Sequence, residues 1–254
     1  MGLLLSASAA AIGIGTLLVG ALIAWRWDLP TRAVGAVMAF GSGVLIATLA
    51  LELVAEASDG GVVWPVVVGF AAGAVLYVAG DQGVSRLTSR RRRHSTGESG
   101  SRNVTARRGG DTPGDEAAIA VGALLDGIPE AIVIGLSAAS GFPVGIVAAI
   151  ALSNVPEGLA GTVPLKRSGR SLRFVLLLWG GITVLAVAAS LVGAALMADA
   201  SPEALAVVLS LAAGALLAMV SNAMIPEAFD DDRQFTGLIA TLGFLVAFVL
   251  QELA

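Results

Sequence analysis

The sequence predicts an all-α polytopic membrane protein with eight transmembrane helices. Three observations carry this reading: long uninterrupted apolar segments, very few charges, and basic residues confined to alternate connections. Of the 254 residues 56% are hydrophobic and 13% charged, with a mean hydropathy of +0.87. A soluble domain carries nearer a quarter charged residues. The apolar segments span residues 3–25, 33–57, 62–80, 117–138, 142–165, 172–198, 203–226 and 235–253. Each is long enough for a helix to cross the bilayer core. They are continuously apolar instead of alternating, which argues against a barrel. All 15 Lys and Arg residues fall in four places. Arg26 and Arg32 lie between segments one and two. Arg86, Arg90, Arg91, Arg92, Arg93, Arg102, Arg107 and Arg108 lie between three and four. Lys166, Arg167, Arg170 and Arg173 lie between five and six, and Arg233 between seven and eight. A wrong helix count would scramble this partition. It predicts cytoplasmic basic loops and both termini outside.

Taken in order, segment 3–25 lacks a preceding basic region and is followed by Arg26, so it reads as a first span and not as a cleaved signal peptide. Segment 33–57 carries Glu52 and Glu56 towards its outer end. In segment 62–80, Gly69 and Gly73 form a small-xxx-small pattern, which packs helices within a chain more often than it forms a homodimer, though a homodimer stays open. The connection 81–116, rich in Arg, Ser, Gly and Thr and containing His94, is expected to be a disordered cytoplasmic loop. Its arginines would favour anionic lipid, and with no aromatic residues among them no nucleic-acid partner is expected. Segment 172–198 contains no acid. Segments 33–57 and 203–226 share a pattern: Gly43-Val44-Leu45-Ile46-Ala47 before Ala55-Glu56-Ala57, and Gly214-Ala215-Leu216-Leu217-Ala218 before Pro226-Glu227-Ala228, at the same spacing. These two spans run in opposite directions, as do the fourth and fifth, which is the pattern of an inverted repeat. Of the four tryptophans, Trp25, Trp27 and Trp64 sit at or near span ends as interfacial anchors, and Trp179 is the one that need not be an anchor. The whole chain, 1–254, reads as a single transmembrane domain.

The chemistry concentrates in the fourth and fifth segments. Asp126-Gly127-Ile128-Pro129-Glu130 in one aligns with Ser153-Asn154-Val155-Pro156-Glu157 in the other. A carboxylate at the centre of a span costs about 2.5–3.5 kcal/mol even on the gentlest scale, so such an acid is a functional candidate. Asp126 and Glu130 are four apart and share a helix face, as do Ser153 and Glu157. Pro129 and Pro156 cannot donate to the carbonyls of Leu125 and Leu152, which leaves backbone oxygens close to the acidic side chains. A divalent cation shared by Asp126, Glu130 and Glu157, with the freed carbonyls beside them, accounts for all of these; the alternative is a pair of proline kinks whose acids are protonated or hydrogen-bonded to neighbours. With no cysteine and one histidine in a loop, the ligands are oxygen. Oxygen ligands favour Mg, Mn or Ca by softness without excluding Zn or Fe. Glu52 and Glu56 would line an entrance, and Asp81, Asn222, Glu227 and Asp230 an exit. No His-Glu-x-x-His motif and no Ser-His-Asp set is present, so an enzyme is not expected. Nor is an organic cofactor expected.

These residues resemble helices 4 and 5 of the ZIP (Zrt/Irt-like) family of divalent metal transporters, which typically read His-Asn-x-Pro-Glu-Gly and x-x-x-Pro-Glu-Gly. Ser221-Asn222-Ala223-Met224-Ile225-Pro226-Glu227 is similar to that family's Ser-His-Glu-x-x-Pro-Glu in helix 7. The resemblance implies a 3+2+3 inverted-repeat architecture in the cell membrane. It also implies a carrier that moves zinc, iron, manganese or a similar ion into the cytoplasm through a midplane site between helices 4 and 5. The sequence departs from the pattern where Asp126 and Gly127 replace His-Asn, where Asn154 stands for an acid, and where Asn222 and Ala223 replace His-Glu. These departures favour one ion site over two, for which the resemblance implies Asp126, Glu130, Ser153 and Glu157 as ligands with Asn154 as a fifth. They also leave an alternative, a degenerate ZIP-like protein with a structural or regulatory role and no transport.

Overall fold

A computed structural model describes residues 2–58, 63–96, 115–138, 142–197, 200–231 and 234–253. Among these residues there is no strand, and eight helices are long and apolar enough to cross a membrane. They are α1 (Gly2–Arg26), α2 (Thr31–Ser58), α3 (Val63–Thr96), α4 (Asp115–Ser137), α5 (Val144–Arg167), α6 (Leu172–Met197), α7 (Pro202–Met219 continuing through Ile225–Asp231) and α8 (Thr236–Leu253). The chain is thus an all-α polytopic membrane protein. Ser201 caps α7, accepting a hydrogen bond at its Oγ from the Ala204 N–H at 3.3 Å, with Pro202 in the first turn.

Two expectations about helix ends are corrected. The third helix does not stop near residue 80 but runs on to Thr96, so 81–96, expected to be disordered, is helical. Arginine is among the better helix formers, and Arg86 Nη2 donates to Gln82 Oε1 one turn back at 3.3 Å. Composition signalled polarity there, and polarity was read as disorder. The rest of that connection, 97–114, lies outside the described residues. The seventh helix likewise runs beyond 226, through Ile225–Asp231, and takes in both Glu227 and Asp230.

Both α2 and α7 contain a π-helical turn, Leu49–Leu53 and Val220–Met224. In each, the following residue donates its N–H five residues back, Val54 to the Leu49 carbonyl and Ile225 to the Val220 carbonyl. Each turn begins six residues after the matching glycine, Gly43 or Gly214. The extra residue in α7 comes just before Pro226, which cannot donate in any helix.

The helices pack as two sets of four. In one, α1 lies on α5 and α6, and α6 on α4; in the other, α3 lies on α7, and α2 on α8 and α7. The sets meet mainly where α2 packs on α5 and α4 on α7 and α3, while α4 and α5 touch each other only slightly. Exchanging α1 with α6, α2 with α7, α3 with α8 and α4 with α5 maps this pattern onto itself. Glycine contacts repeat the relation in detail. A methyl group at Gly43 would run into the Ala240 carbonyl, and one at Gly214 into the Phe70 carbonyl. Gly73 lies against the Leu211 carbonyl as Gly243 lies against that of Phe40. Gly69 and Gly73 therefore pack α3 onto α7 within the chain. Gly20 of α1 meets Leu159 of α5, and Gly193 of α6 meets Ile132 of α4. Glycine lets backbones approach this closely where no hydrophobic force drives association.

Trp179 is no interfacial anchor. It is 1% exposed, lies against Gly161, and donates from Nε1 to Thr162 Oγ1 at 2.8 Å. Trp27 and Trp64 are exposed as expected.

Replacing Gly43 or Gly214 with alanine should destabilise the protein by about 2–3 kcal/mol, because the obstacle is backbone and cannot turn aside. Gly127→Ala, where nothing lies within 4 Å, should leave thermal unfolding in detergent almost unchanged.

Candidate metal centre

Pro129 and Pro156 lie inside continuous helices, and the side chains around them are deeply buried. Glu130 is 1% exposed, Asn154 1%, Ser153 1%, Glu157 5% and Asp126 8%. Such polar groups in the interior of a membrane-spanning bundle must find partners within it.

Glu130 and Asn154 do meet. Asn154 Nδ2 donates to Glu130 Oε2 at 2.9 Å, joining α4 to α5 where the two helices otherwise barely touch. The other carboxylate oxygen, Glu130 Oε1, is buried and has no hydrogen-bond partner among the described residues. Asp126, one turn earlier, accepts at Oδ1 a hydrogen bond of 2.9 Å from the Tyr77 hydroxyl of α3. Ser153 Oγ donates to the Ile150 carbonyl at 3.0 Å. Gly158 lies against the Leu17 carbonyl of α1, while Gly127 approaches no neighbouring helix. Close approach beside the prolines is thus a property of α5 alone.

Among the described residues, no three His, Cys, Asp or Glu side chains converge closely enough to hold a metal ion. Asp126, Glu130 and Glu157 therefore do not meet as a three-carboxylate cage in this arrangement. Its centre is a linked amide and carboxylate with one unused oxygen.

The remaining acids separate along the α2–α7 pair. Glu52 lies in the π turn of α2 with Oε2 buried and unpartnered, and Glu56 is exposed one turn on. That end of α2 packs against Pro202–Met219 of α7, whereas Ile225–Asp231, which carries Glu227 and Asp230, packs against Thr31–Thr48. The helices are antiparallel, so the two groups of acids stand at opposite ends. Asn222 is half-buried in the second π turn, Asp81 is half-buried within α3, and the Asp230 side chain lies outside the described residues. Gly41 of α2, Met224 of α7 and Pro156 of α5 meet between the helix sets: a methyl at Gly41 would stand 3.0 Å from Pro156 Cγ and 3.3 Å from Met224 Cε.

Sequence reasoning missed Tyr77. A usable signal existed, since it is the only tyrosine and lies in an apolar span, where a buried phenol needs a partner.

Compared with models of known protein families and with curated proteins, the chain matches none.

Asn154→Leu should cost about 1–3 kcal/mol, because it strands the Glu130 carboxylate without its donor. Adding Glu130→Leu should recover most of that loss, an outcome readable from thermal unfolding of the two variants in detergent.

Proposed function

We propose that this protein carries a divalent metal ion across a cell membrane, as a divergent ZIP-like transporter. The observation that supports this best is Glu130: a carboxylate deep in a span, held at one oxygen by Asn154 of the matching helix and unpartnered at the other. A cation arriving beside Oε1 would find a carboxyl oxygen with no competing hydrogen bond. Asp126 and Glu157 would then be drawn in, and water would fill the remaining positions. The ion is substrate, and its shell forms as it arrives.

The eight spans, the inverted pairing of helices and the acids at opposite ends of α2 and α7 fit a carrier with a central site and two mouths. With the basic connections cytoplasmic and both termini outside, Glu52 and Glu56 would line the outer mouth, and Asn222 and Glu227 the inner one. Alternating exposure would come from movement of one four-helix set against the other. Because α4 and α5 are packed onto α6 and α1, the central pair would move together with its own set.

A second reading keeps the fold without transport, and the absence of a three-acid cluster among the described residues favours it. Uptake of Zn, Mn, Fe and Cd into proteoliposomes separates the two. A carrier moves at least one of these ions, and Glu130→Ala and Glu157→Ala each lower its uptake at least about tenfold, since even indirect support of a metal ligand is worth that much. Uptake indistinguishable between wild type and both variants for every ion rules transport out.

A further inference from the structure

We propose that Tyr77 is a positioning residue that withholds Asp126 from the ion, so that Asp126 becomes a ligand only when its hydrogen bond to Tyr77 opens. This rests on the carrier reading above and gives that site a latch. Tyr77 is 4% exposed and belongs to α3, in the opposite helix set from α4. Its hydroxyl donates to Asp126 Oδ1 at 2.9 Å. Asp126 and Glu130 share a helix face one turn apart, yet no three acidic side chains converge among the described residues.

The bond also crosses between the two packing sets, since α3 lies on α7 and α4 on α6. A hydrogen bond to a buried carboxylate is stronger than one between neutral groups, so an ion that recruits Asp126 must displace a real competitor. Opening that bond removes one of the ties between α3 and α4 at the moment the ion is bound. Recruitment of the ligand and loosening of the contact between the sets become one event.

The composition supplies a clean test, because the chain has a single tyrosine. Protein carrying ring-labelled tyrosine gives one phenol carbon resonance, which can be followed while Cd is added and Cd binding is measured by calorimetry. The expected result is a shift of that resonance that saturates together with binding and is lost in Asp126→Asn. Tyr77→Phe should bind Cd about tenfold more tightly, the equivalent of about 1.4 kcal/mol, and lower the KM for uptake. In an Asp126→Asn background Tyr77→Phe should change neither. Wild-type protein that binds Cd with an unmoved tyrosine resonance, or Tyr77→Phe with unchanged affinity, overturns the latch and leaves the carrier standing. If wild type neither binds nor moves Cd, Zn, Mn or Fe, the carrier reading fails and the latch falls with it.

Discussion

A carboxylate inside a membrane bundle has few ways to be tolerated, and Glu130 uses one of them by halves. Asn154 satisfies one oxygen from the neighbouring proline-containing helix, and nothing described satisfies the other. An unpaired buried acceptor is costly in a low-dielectric interior. A bundle whose only concern was stability would have placed an apolar residue there, as replacement of buried ionic groups often shows. The side chains around Glu130 follow from this constraint. Asn154 is oriented as a donor, Asp126 is held by a phenol, and the helices carrying them are set by glycines, α5 against α1 and α4 against α6.

The internal duplication makes such placement feasible. Two π turns lie at equivalent positions of α2 and α7, and the glycine contacts of α3 with α7 are echoed by those of α8 with α2. Each π turn rotates the register of the residues that follow it by roughly a third of a helical turn. Glu52 sits within one turn and Asn222 within the other, where π turns elsewhere often mark functional positions. The pairing is not chemically symmetric, because Glu52 corresponds by spacing to Ala223. Identical backbone devices thus carry different side chains towards opposite ends of the molecule.

Much of the architecture was legible because the bilayer imposes a length and the basic residues mark alternate ends. The Gly43 and Gly214 alignment was also visible, and it proved to coincide with matched contacts. What escaped was governed by geometry that composition does not encode. Arginines after residue 86 suggested a loop, although their long unbranched stems favour helix. The apolar run stops at residue 226, although the helix goes on to Asp231 past Pro226, with a π turn just upstream. At the site, the spacing of Asp126, Glu130, Ser153 and Glu157 identified buried polar groups but not their partners. Asn154 was expected as a metal ligand and is a donor to Glu130. Tyr77 is 49 positions from Asp126 in sequence, and no local periodicity links them.

The end of α5 bears on how the site could travel. Lys166 Nζ donates to the Ala24 and Trp25 carbonyls that close α1, and pairs with Asp28 at 2.8 Å. Further along, Thr16 Oγ1 donates to the Ala151 carbonyl, and Gly20 and Gly158 seat the two backbones against each other. Clasped at one tip and interlocked along their length, these two rods form a single girder. Whatever displaces Glu157 must haul the first helix of the chain with it.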